Sequence, residues 1–311
     1  MDLVERVLAG ERLALARLLT QVENNTPTGR EALERLFPLT GRAHLVGITG
    51  APGTGKSSLA NRLALGMRKE GAAKVGVVAV DPTSPFSGGA LLGDRLRMKD
   101  VAGDSGVFIR SMAARGTLGG LARATAAVVQ VLDAAGYDPV LIETVGAGQS
   151  EVDIVRLAHT VLVVDAPGLG DDIQAIKAGI LEIADLLVVN KADQQGVENT
   201  LRALQAMLDI GEQRYAQAGW KPPLLRASAV TGEGIDEILA AIRSHADFLR
   251  ESGGRKQRDE ARLAREFETL LQEELLNRWR AGAAPDRAEV VLARMKAREI
   301  SPGRAVRELL G

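Results

Sequence analysis

Gly50-Ala51-Pro52-Gly53-Thr54-Gly55-Lys56-Ser57 sets an ammonium and a hydroxyl side by side behind a glycine-rich run. Glycines let successive backbone N–H groups curl around phosphate oxygens, and a helix beginning there adds partial positive charge. In such a G-x-x-x-x-G-K-S loop, Lys56 reaches the β- and γ-phosphates and Ser57 ligates Mg²⁺. The apolar run Leu45-Val46-Gly47-Ile48 precedes the loop, and a helical pattern from Ser58 through Ala64 follows it. That strand–loop–helix context is what the motif requires. Gly50 to Ser58 is therefore the expected cradle of a nucleoside triphosphate, and a bare glycine-rich βα turn is the plainer alternative.

Leu186-Leu187-Val188-Val189 ends in Asn190-Lys191-Ala192-Asp193, an Asn-Lys-x-Asp at a strand end. A carboxylate there accepts from the guanine N1–H and 2-amino groups. Adenine lacks that donor pair and would leave the carboxylate unpaired, so Asp193 selects guanine. The Lys191 stem can cover the base face, and Ser228-Ala229 adds backbone amides suited to the guanine O6. The alternative for Asn190 is an ordinary strand-end turn residue. Three more carboxylates suit Mg²⁺, a hard ion that prefers oxygen. Asp81 ends the second strand, Asp94 follows Leu92-Gly93, and Glu143 ends Val140-Leu141-Ile142, with Gly146 beyond it to donate its N–H to the γ-phosphate. Helix capping is the alternative for Asp94. Loss of the γ-phosphate would release the loop Gly146–Val152, as in a switch.

The elements that must position these groups are read from apolar runs. Strands are expected at His44–Ile48, Val75–Val80, Val107–Ile109, Pro139–Ile142, Thr160–Val164, Leu186–Val189 and Leu224–Ala227. Continuous apolar runs with helical patterns between them predict an α/β fold, a doubly wound, mainly parallel sheet. Ligands then bind outside the carboxyl ends of the strands. Residues 1–40 form an N-terminal helical extension, with Leu15, Leu18, Leu19 and Val22 on one face and Leu33, Leu36 and Phe37 on another. Asn24–Gly29 separates them and Pro38 ends the second. Residues 41–250 form the nucleotide domain. Residues 251–311 begin with a linker-like break and continue as a charged helix with Leu263, Phe267, Leu270, Leu271, Leu275 and Trp279 on one face. Further helices start at Ala284-Pro285-Asp286 and Ser301-Pro302. These arm helices either fold back on the main domain or join a second subunit; periodicity leaves both open.

Composition narrows the classes. The 311 residues are 46% hydrophobic and 3% aromatic, with formal net charge -1 and no cysteine. Disulfides, thiolate metal sites and thiol nucleophiles are excluded, and no global basic field draws the chain to nucleic acid or membrane. His44, His159 and His245 stand far apart and read as structural. With no apolar leader and no run of about 18 apolar residues, a cytoplasmic protein is expected.

Ile142-Glu143-Thr144-Val145-Gly146-Ala147-Gly148-Gln149-Ser150-Glu151 resembles the signature of the MeaB/ArgK-type GTPases, P-loop proteins of the SIMIBI class. Asp81-Pro82-Thr83-Ser84, Gly88-Gly89, Leu92-Gly93-Asp94, Phe108-Ile109-Arg110, Gly116–Gly120, Pro167-Gly168, Gly170-Asp171-Asp172, Gln174, Ile176-Lys177 and Gly179 agree with it. The resemblance covers roughly residues 10–250. It implies a GTP-hydrolysing chaperone that gates adenosylcobalamin loading or protection of a cobalamin-dependent acyl-CoA mutase, methylmalonyl-CoA mutase or a relative. It implies GTP/GDP and Mg²⁺ as ligands, with Ser57, Asp81, Asp94 and Glu143 around the metal. Gly170–Lys177 would be a third switch, from which Lys177, Gln174 and Asp171 position against the nucleotide. The C-terminal arm would build a homodimer. Arg97-Met98 also agree with the family pattern, whereas the middle of Asp94-Arg95-Leu96-Arg97-Met98, where Lys-Thr is more usual, and Ser111–Arg115 depart from it near the switches, which bears on the identity of the client mutase.

The expected chemistry is in-line attack of water on the γ-phosphate, with Lys56, Mg²⁺ and loop amides stabilising charge. Asp81 is the best-placed residue to orient the water. Two other classes compete. A nickel-delivery GTPase of the hydrogenase or urease maturation type needs Cys or His ligands, which are scarce here. A small-molecule kinase or transport ATPase is opposed by Asn190–Asp193.

Overall fold

Seven apolar runs form one sheet in the computed structural model, which describes residues 1–82, 103–114, 120–144, 156–168, 183–282 and 285–310. The strands are β1 (Leu45–Thr49), β2 (Val75–Pro82), β3 (Val107–Ala114), β4 (Val140–Thr144), β5 (Thr160–Asp165), β6 (Leu186–Val189) and β7 (Leu224–Arg226). Their order is β3-β2-β4-β1-β5-β6-β7, and every neighbouring pair is parallel. β1 sits between β4 and β5. The chain thus leaves β1 for one half of the sheet and returns past it to build the other. The crevice at the carboxyl end of β1 is where such a sheet accepts a ligand.

β1, β4, β5 and β6 are buried along their whole length, because helices cover both faces. On one face lie α2 (Arg12–Glu23), α3 (Pro27–Leu36) and α5 (Gly120–Ala134). Leu15, Leu18, Leu19 and Leu36 pack there with Leu132 against Val78, Val140 and Ile142. On the other face lie α4 (Lys56–Lys69) and α8 (Ile235–Glu251). Leu59, Leu63, Ile238 and Leu239 meet Ile48, Leu162 and Val188. The N-terminal helices therefore belong to the core. Burying a Leu contributes roughly 1.5–3 kcal/mol, so these positions hold the sheet as well as cover it.

The structure refines several sequence expectations. The first 40 residues carry a short helix α1 (Leu3–Leu8) besides α2 and α3. α3 starts at Pro27, inside the expected break, because Thr26 Oγ1 accepts the Gly29 amide at 3.0 Å and proline suits the first helical position. Phe37 falls in the turn Phe37–Leu39 beyond α3 and is 50% exposed, off the apolar face assigned to it. β3 runs on to Ala114, since its backbone pairs with β2 to the register Pro82↔Ala114. Two further helices, α6 (Val197–Ile210) and α7 (Glu212–Ala218), connect β6 to β7. The break after residue 250 is only Ser252-Gly253, between α8 and α9 (Gly254–Gly282).

The chain divides into a unit Met1–Asp259 and a unit Glu260–Gly311. In the second, α10 (Pro285–Lys296) and α11 (Pro302–Leu310) share a small core of Val291, Ile300 and Ala305. Glu308 accepts from Arg294 at 2.7 Å and Arg304 at 3.0 Å. Leu263, Phe267, Leu270, Leu271 and Leu275 on α9 are exposed.

Candidate nucleotide-binding site

The loop after β1 takes its shape from glycines that nothing else can replace. Gly50 has φ 141°, and a Cβ there would lie 2.0 Å from the Val164 carbonyl of β5. Gly55, with φ 89°, is the left-handed N-cap of α4. A Cβ on Gly55 would lie 2.4 Å from Asn190 Nδ2. Thr54 is buried, and its hydroxyl donates to the Ala51 carbonyl at 3.0 Å. Lys56 opens α4 with its side chain buried, and its Nζ donates to the carbonyls of Gly50 at 2.8 Å and Ala51 at 2.9 Å. The ammonium is thereby held across the loop. Pro52 and Gly53 are exposed at the rim and Ser58 is half-buried on the first turn.

Ser57 Oγ donates to Glu143 Oε1 at 2.6 Å, and both side chains are buried. β1 and β4 are parallel neighbours in the register Ile48↔Glu143, which brings the end of β4 beside the loop. Behind them Thr144 Oγ1 donates to Thr49 Oγ1 at 3.3 Å. Asp81 stands one residue beyond the Val80↔Thr144 pair, so the ends of β2 and β4 are adjacent at this corner. Among the described side chains the donors at the corner, Ser57 Oγ and the Glu143 carboxylate, are oxygens. The serine hydroxyl keeps its lone pairs free while its O–H points at Glu143 Oε1. This chemistry fits a hard divalent ion such as Mg²⁺. Asp94, Gly146, Asp171, Gln174 and Lys177 lie outside the described residues.

At the other end of the loop, Asn190 is 1% exposed and ties three segments together. Its Nδ2 donates to the Thr54 carbonyl at 2.8 Å, and its Oδ1 accepts the Ala229 amide at 3.1 Å. Its own backbone N donates to the Asp165 carbonyl at 2.8 Å. Only one orientation of the side-chain amide satisfies both partners. Lys191 follows in the left-handed region with φ 59°, turning the chain so that Asp193 comes back to the buried Ser228. Ser228 Oγ donates to Asp193 Oδ1 at 2.5 Å, which orients one carboxylate oxygen. The structure thus brings together the phosphate loop, Asn190, Asp193, Ser228 and Ala229.

Two residues near the site were missed from sequence. Asp165 closes β5 with its side chain 8% exposed, and Oδ1 accepts the Ala166 amide at 2.8 Å. The signal that picked Asp81 and Glu143, a carboxylate ending an apolar run, was present in it. Arg62 on α4 donates to the carbonyls of Ala229 at 2.8 Å and Val230 at 3.1 Å. No sequence pattern marked it.

The three histidines, distant in sequence, gather at the opposite end of the strands, where β1, β5 and β6 begin. His44 Nε2 and His245 Nδ1 both meet Thr160 Oγ1 at 2.8 Å. His159 Nδ1 accepts the Leu45 amide at 3.0 Å. Burial, then the nearby His159 and Arg255, push the His44 pKa down to about 3, so it is neutral. Burial would raise Asp185, but hydrogen bonds from Arg258 and His245 outweigh it and bring it down to about 2. Among the described residues, no group of three His, Cys, Asp or Glu is arranged to hold a metal. No described helix is long and apolar enough to cross a membrane.

Comparison with known proteins agrees with this geometry. Residues 15–284 match the family described as methylmalonyl-CoA mutase-associated GTPase MeaB. A Pyrococcus abyssi protein is 46% identical over all of this chain and 97% of its own length. The Escherichia coli GTPase ArgK is 36% identical over 98% of this chain and 94% of its own. The crystal structure of an LAO/AO transport system kinase superposes with a TM-score of 0.75 at 30% identity, covering 99% of this chain and 95% of that one. With its phosphate loop, all-parallel sheet and guanine-type motif, the chain belongs to the MeaB family of P-loop GTPases and is an enzyme that binds and hydrolyses GTP.

Proposed function

We propose that this GTPase is a chaperone of an adenosylcobalamin-dependent acyl-CoA mutase, methylmalonyl-CoA mutase or a relative, and that GTP hydrolysis gates loading or protection of the mutase cofactor. The observation that carries the reading is the match to a mutase-associated family across residues 15–284. In this reading Lys56 swings from the Gly50 and Ala51 carbonyls to the β- and γ-phosphates, whose oxygens outcompete neutral carbonyls for an ammonium. The amides of Gly50 to Ser58 cradle the phosphates. Ser57, Asp81, Glu143 and Asp94 hold Mg²⁺. Bound there, the ion neutralises charge developing on the phosphate oxygens.

The protein's own groups do the rest. Gly146 donates its N–H to the γ-phosphate, and Asp81 orients the attacking water. Asp171, Gln174 and Lys177 close on the nucleotide when the partner engages. At the base, Asp193 pairs with the guanine N1–H and 2-amino groups, Lys191 covers the ring face, and the turn that begins at Ser228-Ala229 supplies the O6 side. Asn190 keeps the base and phosphate ends in register. The exposed apolar stripe of α9 suits a homodimer.

The test is GTP turnover by the full chain, alone and with a purified cobalamin-dependent acyl-CoA mutase. Turnover and mutase binding are expected to depend on each other, with the complex forming differently in GDP and in a non-hydrolysable GTP analogue. Turnover unchanged by every such mutase would sink the chaperone reading and leave the GTPase standing.

A further inference from the structure

The turn Ser228–Gly232 has its amides committed, with one exception. Ser228 N donates to the Glu233 carbonyl at 2.9 Å, and Gly232 N to the Ser228 carbonyl at 2.8 Å. Thr231 N donates to Ser228 Oγ at 3.2 Å, and Ala229 N to Asn190 Oδ1 at 3.1 Å. Val230 N alone in this turn has no acceptor among the described residues. The amides expected at the guanine O6, those of Ser228 and Ala229, are therefore already spent inside the protein.

Arg62 grips the same peptide from behind. Its guanidinium donates from Nε to the Ala229 carbonyl at 2.8 Å and from Nη2 to the Val230 carbonyl at 3.1 Å. No carboxylate pairs with Arg62 among the described residues, so its charge serves these two carbonyls. In a trans peptide the C=O and the following N–H point in opposite directions. Holding the Ala229 carbonyl toward α4 aims the Val230 N–H away from α4. Donation to that carbonyl also polarises the peptide, making its N–H a better donor. Arg62 lies on the helix whose first residues are Lys56 and Ser57, so its grip fixes the turn relative to the phosphate cradle.

We infer that Arg62 is a positioning residue for base specificity, aiming the Val230 N–H at the guanine O6. The inference rests on the guanine reading of Asn190–Asp193 and assigns the donor for O6 within it. An N–H donor at that point attracts the O6 acceptor of guanine and opposes the N6 amino group of adenine. It therefore acts on selectivity and not only on affinity.

The test is the ratio of GDP to ADP affinity, measured by calorimetry on the full chain together with the urea midpoint. R62M keeps the apolar stem and removes the donors. V230P removes the N–H itself. In each, the GDP-to-ADP ratio is expected to fall about tenfold, the worth of one good hydrogen bond. Affinity for inosine diphosphate, which keeps O6, falls by the same factor, while ADP binding holds or improves. The double variant loses no more than either alone, because both act on one contact. A lowered urea midpoint in R62M with an unchanged ratio overturns the inference and leaves Arg62 a structural residue. If R62M does not fold, R62K keeps one donor on a similar stem; a smaller fall is expected, and no fall overturns the inference. Wild-type protein without preference for GDP over ADP would instead overturn the guanine reading, and this inference with it.

Discussion

Replacing Asn190 separates a clamp from a base contact. The side chain is buried and makes two good hydrogen bonds, to the Thr54 carbonyl at 2.8 Å and from the Ala229 amide at 3.1 Å. In Asn190→Ala both are lost, at about 1 kcal/mol net each, and a buried carbonyl and amide are left unmade at about 1–3 kcal/mol each. Partial relaxation around the smaller side chain brings the expected loss to roughly 3–5 kcal/mol. Asn190→Asp keeps the acceptor for Ala229 but turns an oxygen toward the Thr54 carbonyl, so it is expected to be at least as destabilising at pH 7. The assay is urea unfolding of nucleotide-free protein, followed by GDP titration of each variant that folds. A clamp costs stability before any nucleotide is added, and GDP affinity falls further because Gly55 and Ala229 lose their common anchor. Stability of Asn190→Ala within about 1 kcal/mol of wild type, with GDP affinity lost, would refute this reasoning and make Asn190 a ligand of the base.

Other perturbations test the rest of the site. Gly55→Ala forces a side chain into φ 89° and against Asn190 Nδ2, so GDP binding is expected to be lost beyond calorimetric detection; retained affinity would show that the loop can rebuild without its left-handed cap. Asp193→Asn removes a charged acceptor for two donors and is expected to weaken GDP roughly 100-fold or more while improving xanthosine diphosphate, read by competition against a fluorescent nucleotide. The pH response should come from His44. Its folded pKa, about 3, lies below the unfolded 6.5, so the unfolded state binds the extra proton between those values and acid destabilises the fold. By pH 5 the loss is about 2 kcal/mol, whereas Asp185, drawn down to about 2, loses its contribution only as pH falls below 3.8. His44→Gln should flatten the urea midpoint between pH 6.5 and 5, and an unchanged slope would assign the response elsewhere.

The strands were legible because both faces of the sheet are covered. Runs such as Val140–Ile142 and Leu186–Val189 have no polar alternation to obscure them. β3 was read short because Arg110-Ser111 interrupt the apolar run after Ile109; it is backbone pairing with β2 that extends it to Ala114, a tertiary fact. Phe37 misled because the apolar pattern ignores that Pro38 takes the chain out of the α3 register. The site was legible where a residue type has one chemistry at one spacing, as with Lys56 and Ser57. Asn190 was legible as part of the motif, but its direction was not. That it points into the space left by Gly55 depends on two segments far apart in sequence meeting side by side. Arg62 was invisible because it acts on backbone carbonyls, which no motif records.

These contacts divide the site by rigidity. At the base end Asn190, Ser228 and Arg62 cross-link three segments through buried or half-buried bonds, so this end has little freedom to respond to the third phosphate. The γ-phosphate end is built differently. Asp81, Glu143 and Gly168 stand at or near the ends of β2, β4 and β5, and the chain runs from them into the stretches that contain Asp94, Gly146 and Asp171–Lys177. A switch needs an element whose equilibrium the ligand biases, and only groups that touch the γ-phosphate differ between GTP and GDP. Guanine recognition can therefore set occupancy without carrying the signal. On the proposed reading, the Ser57–Glu143 corner, where the hydroxyl expected on the metal meets the strand leading to Gly146, is the point at which the protein would feel loss of the phosphate.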